Sequence, residues 1–184
     1  MSDALPPSTY AVLGLVDKVP RSSGYDLADI ATRSLSYFWP LSRTLIYREL
    51  ERLTGLGWVT AARVDQTQAP GKWTYRQTGT GSAALSRWLR EAPVSTGTTR
   101  NPLLLRLFFS HRLPQARTLA LLGEYRDALT SQLSELTAIV EKLAAVDTPG
   151  AASGRLVALH GVRTTSARLA WIDEAQALLD EERP

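Results

Sequence analysis

The chain has 184 residues, of which 44% are hydrophobic and 21% charged, so it can bury a core and is not a disordered tract. It contains no cysteine, which excludes a disulfide framework, a thiolate nucleophile and a cysteine metal site. The net charge of +3 is uneven: residues 33–90 carry nine basic against three acidic side chains, a net +6, whereas residues 94–184 carry ten of each. A basic first part beside a neutral second part points to an anionic partner for the first part alone.

The opening "MSDALPPSTY" lacks the basic and apolar blocks of a signal peptide, and no apolar run is long enough to cross a bilayer. A cytoplasmic protein without membrane contact is therefore expected. Ser8 or Thr9 can cap a first helix, with Val12, Leu15 and Val16 facing inward and Pro20 closing it. Ser22-Ser23 opens a second helix, with Leu27, Ile30 and Ala31 inward, and Pro40 ends the segment "SLSYFWPLS". Ser42 is a good N-cap for a third helix over 43–54, ended by Gly55 and Gly57. Two strands follow, near 58–64 and 72–78, joined by "DQTQAPG" with a Pro70-Gly71 turn. A fourth helix covers about 80–91.

"APVSTGTTRNP" reads as a linker, giving domains of 1–92 and 93–184. Asn101 and Pro102 supply N-cap and N1 for the short apolar helix "LLLRLFFSH". One long helix is predicted over 114–146 and another over roughly 151–182, separated by an Asp147–Gly150 turn.

The order strand, Gly79-Thr80-Gly81-Ser82-Ala83-Ala84, helix imitates a dinucleotide-binding fingerprint. That fold needs a buried parallel strand before the glycines and an acidic residue some 20 positions on. Here "KWTYRQT" is polar on alternate positions, and residues 98–100 are Thr-Thr-Arg. The glycines are better read as turn and helix-entry residues, and no cofactor is expected. The two histidines, His111 and His160, fall in different helices, and no HExxH, GxSxG or Walker pattern occurs. Neither a metal site nor an enzyme is expected.

On the third helix Ile46, Leu50 and Leu53 share a narrow arc, while Thr44, Tyr47, Arg48 and Glu51 face the other way and Arg43 lies in the first turn. Such a helix suits a DNA major groove, and Arg63, Lys72 and Arg76 put charge on the hairpin beside it. The alternative is a solvated helix face and an ordinary basic hairpin. "YAVLGLV", "SGYDLA", "FWPLSRTLIYRELERLTGLGWV" and then Tyr75-x-x-Thr78-x-x-Gly81 together resemble the winged helix-turn-helix of PadR-family transcriptional regulators across residues 9–90. The tail, opening on "RNPLLLRLFF", resembles the helical C-terminal domain of the longer members. The resemblance implies a mainly α fold, a winged helix-turn-helix followed by a helical dimerisation domain. It also implies a dimeric repressor of a palindromic operator in double-stranded DNA, released by a small molecule. The family's DNA-contacting positions correspond to Ser42, Arg43, Thr44, Tyr47 and Arg48, with Lys72 on the wing, although the tip "DQTQAPGK" carries a single lysine.

Leu122, Tyr125, Leu129, Gln132, Leu136, Ile139, Leu143 and Val146 form a heptad-like seam along the long helix. Leu122, Leu129, Leu136, Ile139 and Leu143 are the expected homodimer contacts. The alternative is that the last helix, with Leu156, Leu159, Val162, Leu169, Ile172 and Leu179, covers the seam within one chain. Trp39, Phe108, Phe109, His160 and Trp171 are candidate walls for an aromatic effector, or else core. The rival to a regulator is a helical adaptor that binds protein through the seam, its basic face being incidental.

Overall fold

The computed structural model describes residues 5–64, 72–94, 96 and 101–181. The predicted Pro70-Gly71 turn and most of the predicted linker lie outside these residues. Two compact units divide the chain, 1–96 and 97–184.

The first unit runs α1 (Pro7–Lys18), β1 (Ser22–Ser23), α2 (Gly24–Leu35), α3 (Arg43–Gly55), β2 (Val59–Val64), β3 (Lys72–Gln77) and α4 (Gly79–Glu91). Helix α1 starts one residue before the expected Ser8 cap, because Pro6 precedes it with extended backbone and Pro7 occupies N1. A proline there wastes no N–H, so no side-chain cap is needed. Thr9 is thereby free for a different use inside the core. The sheet is antiparallel in the order β1-β3-β2, with Ser22 opposite Tyr75 and Ala61 opposite Tyr75 on the other side. Strand β1 was not foreseen, since two residues are too short to show any periodicity. Ser23 both ends it and caps α2: its hydroxyl accepts from Asp26 N at 3.2 Å while Asp26 Oδ2 accepts from Ser23 N at 2.9 Å. This reciprocal pair satisfies two donors at the start of the helix.

Val12, Leu13 and Val16 of α1, Leu27 of α2, and Ile46, Leu50 and Leu53 of α3 are fully buried in one cluster with Val59. Tyr10 stacks on Trp88 at 4.8 Å between ring centroids, tying α1 to α4. The glycine pattern before α4 has a packing cause. A Cβ on Gly81 would stand 2.2 Å from the Trp58 carbonyl oxygen, so only glycine lets the helix start this close to β2. Thr78 caps that helix, accepting from Gly81 N at 3.1 Å and donating to Gly57 O at 2.8 Å.

The second unit holds α5 (Pro102–Phe108), a short 3-10 turn (Ser110–Arg112), α6 (Gln115–Ala144) and α7 (Pro149–Glu181). Asn101 caps α5 as expected, its Oδ1 accepting from Leu103 N at 2.9 Å. The helix stops at Phe108, short of the expected His111, because the chain tightens into the 3-10 turn. Helices α6 and α7 pack along their length. Leu122 and Leu129 are buried against Ile172, with Leu107, Tyr125, Leu169 and Trp171 around them. Gly161 admits Leu136, whose Cδ1 would lie 3.0 Å from a Cβ placed there, and Gly154 likewise faces Leu143.

At Leu122, Leu129 and Leu136 the seam is an intrachain contact. Leu122, Leu129 and Leu136 were expected to face a second chain, but each is at most 3% exposed beneath this chain's own α7. Ile139 and Leu143 are half-buried. A 33-residue α7 is long enough to cover the seam of a 30-residue α6, the alternative that the periodicity left open.

Candidate nucleic-acid interface

The recognition face is built on the first two turns of α3. Ser42 sits at the N-cap, its hydroxyl accepting from Leu45 N at 3.2 Å, so it fixes where the helix begins. Arg43, Thr44, Tyr47 and Arg48 are all exposed, while Ile46 and Leu50 hold the opposite side in the core. A helix anchored by one face and open on the other matches what groove entry requires.

Two of these side chains are held in place by α2. Arg43 lies over the Tyr25 ring, 4.6 Å from its centroid, a cation–π contact that restrains an otherwise mobile guanidinium. Tyr47 presses on Gly24, where a Cβ would come within 2.4 Å of its ring. Tyr47 nonetheless keeps 48% of its surface open. Tyr25 and Gly24 escaped the sequence reading. The "SGYDLA" stretch that contains them was noted, but nothing in its spacing shows that it lies under the third helix.

Beneath the face is a buried carboxylate. Glu49 is fully buried and accepts from the Thr9 hydroxyl at 2.7 Å and from Arg52 Nη1 at 2.9 Å. Arg48 Nη2 stands 3.9 Å from the same carboxylate. Glu49 therefore ties α3 to α1 and draws the exposed Arg48 toward the helix. Sequence reasoning counted Glu49 only as a charge, although its position between Ile46, Leu50 and Leu53 was the available signal.

Lys72 opens β3 and places its Nζ 3.6 Å from Asp26 Oδ2, with both side chains part-exposed. The Asp26 carboxyl is held below its ordinary value of 3.8, first by the Ser23 backbone N–H and hydroxyl and then by Lys72. The Tyr75 phenol is pushed above 10.0 by burial, with Tyr47 adding to the effect. Thus Lys72 shares its charge between a carboxylate and solvent, and is less free than its place at the hairpin edge suggested.

The aromatic candidates fall in both units. Trp39 is 40% exposed in the connection between α2 and α3 of the first unit. In the second unit Phe108 and Phe109 meet edge to face at 5.0 Å, and Phe108 is 76% exposed. Trp171 packs beside Leu122 and Ile172, whereas His160 is exposed eleven residues earlier, about 16 Å along α7. The structure does not bring His160 and Trp171 together. Among the described residues no cluster of His, Cys, Asp and Glu could hold a metal, and no helix is long and apolar enough to cross a membrane.

Three stacked helices, a two-stranded hairpin completed by a third short strand, and an open polar helix face define a winged helix-turn-helix protein. Residues 12–87 match the family model of the transcriptional regulator PadR-like family, and residues 99–180 match that of the virulence activator alpha C-terminal region. The negative transcriptional regulator PadR of Bacillus subtilis is 28% identical over 179 residues, covering 94% of this chain and 97% of that protein. The crystal structure of Bacillus subtilis PadR in complex with operator DNA has a TM-score of 0.83 at 25% identity, covering 95% of this chain and 99% of that one. The structure of the same protein in complex with p-coumaric acid has a TM-score of 0.75 at 27% identity, covering 94% and 98%. Together these matches support a PadR-family transcriptional regulator with a helical C-terminal extension. It is a DNA-binding transcriptional regulator, a class that catalyses no reaction.

Proposed function

We propose that this regulator is a cytoplasmic, dimeric repressor that grips a palindromic operator and lets go when a small aromatic molecule binds. The observation that carries the reading is the anchored yet open first half of α3, where Arg43 and Tyr47 are steadied by Tyr25 and Gly24 while staying exposed. Side chains held in position before contact lose less freedom on binding, which favours specific recognition over loose attraction. Arg43, Thr44 and Tyr47 would meet base edges, with Ser42, Arg48 and Lys72 at the phosphates. The operator complex of the Bacillus subtilis relative supports DNA as the partner.

Dimerisation is supported by apolar surface that the second unit leaves open. Leu104, Leu105, Phe108 and Leu156 are exposed on α5 and α7, and large apolar side chains left in water favour burial against a partner. Ile139 and Leu143 are half-covered and keep some surface for a second chain. A two-fold dimer would present two reading heads to the two halves of a palindrome.

The aromatic effector is supported by the p-coumaric acid complex of the same relative, and here by the Phe108–Phe109 pair and Trp171. Trp39 remains a candidate for the same role, whereas His160, about 16 Å along α7 from Trp171, does not share that site. To release DNA, the effector must prefer the arrangement that does not fit the operator; a 100-fold preference amounts to about 2.7 kcal/mol per site.

The test is selection of random fragments of the source genome on the purified protein, followed by sequencing of those retained. A recovered palindrome, released by a phenolic acid from a broad aromatic panel, is the expected result. No enrichment would instead favour a protein-binding adaptor, and enrichment unaffected by the panel would remove the aromatic effector.

A further inference from the structure

Helices α2 and α3 carry four carboxylates, and three of them are tied. Asp26 accepts from Ser23 and stands 3.6 Å from Lys72, and Asp29 pairs with Arg33. Glu49 is buried on Thr9 and Arg52. Glu51 is exposed and has no ion pair or hydrogen bond among the described residues. Arg48, three residues before it, is within helical reach of Glu51 but lies toward Glu49 instead. Glu51 also borders a cleft of about 290 Å³ between α3 and the sheet. The other walls of that cleft are Tyr47, Thr54, Ala61, Trp73 and Tyr75, none of them a cation. In the basic part of the chain, this one carboxylate is left unanswered.

The helix sets its direction. Ile46, Glu49, Leu50 and Leu53 fill the buried arc of α3, and Thr44, Tyr47, Arg48 and Glu51 lie on the arc opposite. Glu51 follows Thr44 by seven residues, about 20° short of two turns and about 10 Å along the axis. A helix that lays Thr44 and Tyr47 against base edges therefore lays Glu51 in the same groove, about three base pairs further on. Phosphates repel a carboxylate, so a base edge must receive it. In the major groove guanine and thymine present acceptors, and adenine sets its N7 acceptor beside its amino group. Cytosine alone offers an amino donor with no acceptor next to it on its own edge. We propose that Glu51 is a specificity-determining residue that accepts a hydrogen bond from cytosine N4 at one position of the operator half-site. The same charge repels DNA that presents an acceptor there. The inference rests on the reading face proposed above and adds to it a residue of opposite charge.

The test is selection of duplexes from a random synthetic pool on the full chain and, in parallel, on Glu51→Ala, Glu51→Gln and Arg43→Ala, with sequencing of the bound fraction. The native chain should prefer cytosine at one position of the half-site by at least about fivefold. Glu51→Ala should flatten that position alone and bind random duplex more tightly, having lost a charge that phosphates repel. Glu51→Gln should move the same position toward adenine, since a side-chain amide accepts from N6 and donates to N7. A residue that served only the fold would change affinity without changing the base preferred at one place. Profiles of both Glu51 variants identical to the native one overturn the inference, as does a change confined to a position that takes no cytosine. If Arg43→Ala loses the palindrome in that same run, the reading of α3 stands and Glu51 alone is removed from it. If Arg43→Ala also keeps the native profile, α3 does not read the operator and both fall.

Discussion

The two units of this regulator solve the same problem to different degrees. In the first, eleven buried apolar residues on three helices and a strand close around one another, and the polar face left over is the functional one. In the second, the common core is Leu122, Leu129 and Ile172 with a rim of half-buried neighbours, while Leu104, Leu105, Phe108 and Leu156 stay in water. A unit with a finished core can offer charge and hydrogen bonds to an anion without risking its fold. One with an unfinished core has apolar surface still to cover, and a second copy of the same chain is the simplest cover.

The sharpest way to strain this contrast is to attack the polar group inside the finished core. Glu49→Ala should cost about 1–3 kcal/mol in urea unfolding, because the buried Thr9 hydroxyl loses its acceptor and the half-buried Arg52 its carboxylate. The exposed pair between Arg126 and Asp173 in the second unit should cost no more than about 1 kcal/mol when Arg126→Ala removes it. Equal losses at the two places would mean that Glu49 is not sealed from water.

The unfinished core is probed by charge on its open surface. Leu104→Asp with Phe108→Asp should leave helicity by circular dichroism intact, since both side chains are exposed, yet shift the proposed dimer to monomers in sedimentation. A variant that stays dimeric would move the interface elsewhere. Leu129→Asp, by contrast, should melt the α6–α7 hairpin itself, because that leucine is covered by its own chain.

Smaller effects distinguish roles on the reading face. Lys72→Ala should weaken operator and random DNA alike and lower the slope of log affinity against log salt by about 0.9, measured by fluorescence anisotropy. An unchanged slope would confine Lys72 to its contact with Asp26. The smallest effect concerns that contact's neighbour. The Asp26 carboxyl is depressed in the folded state, so the unfolded chain binds the proton more readily and stability rises with pH through this range. The capping-box contribution is whole above the ordinary value of 3.8 and is lost as pH falls through the lower folded value. Asp26→Asn should flatten that part of the urea-stability profile, and a profile identical to the native one would remove Asp26 as its source.

Much of this architecture was legible because helices of a dozen residues or more leave a periodic record. Leu27, Ile46, Leu50 and Leu53 were all assigned inward and all are buried. What the record lacked was pairing between distant segments. Strand β1 has two residues and exists only because β3 lies beside it. Tyr25 and Gly24 became part of the reading face only once α2 and α3 were packed. A seam of leucines tells that a helix has a partner but is silent on whether that partner belongs to the same chain, and here α7 took it. The aromatic residues were equally ambiguous, since rings that suit a ligand also suit a core, and Trp171 is beside the core.

The most direct measurement is operator affinity of Arg43→Ala and Tyr47→Ala, each against the selected palindrome and a random duplex of equal length. Each should lose on the order of 1–3 kcal/mol on the palindrome and much less on random DNA, with urea stability near native. Native affinity for the palindrome in both variants would contradict the claim that the first turns of α3 read the sequence.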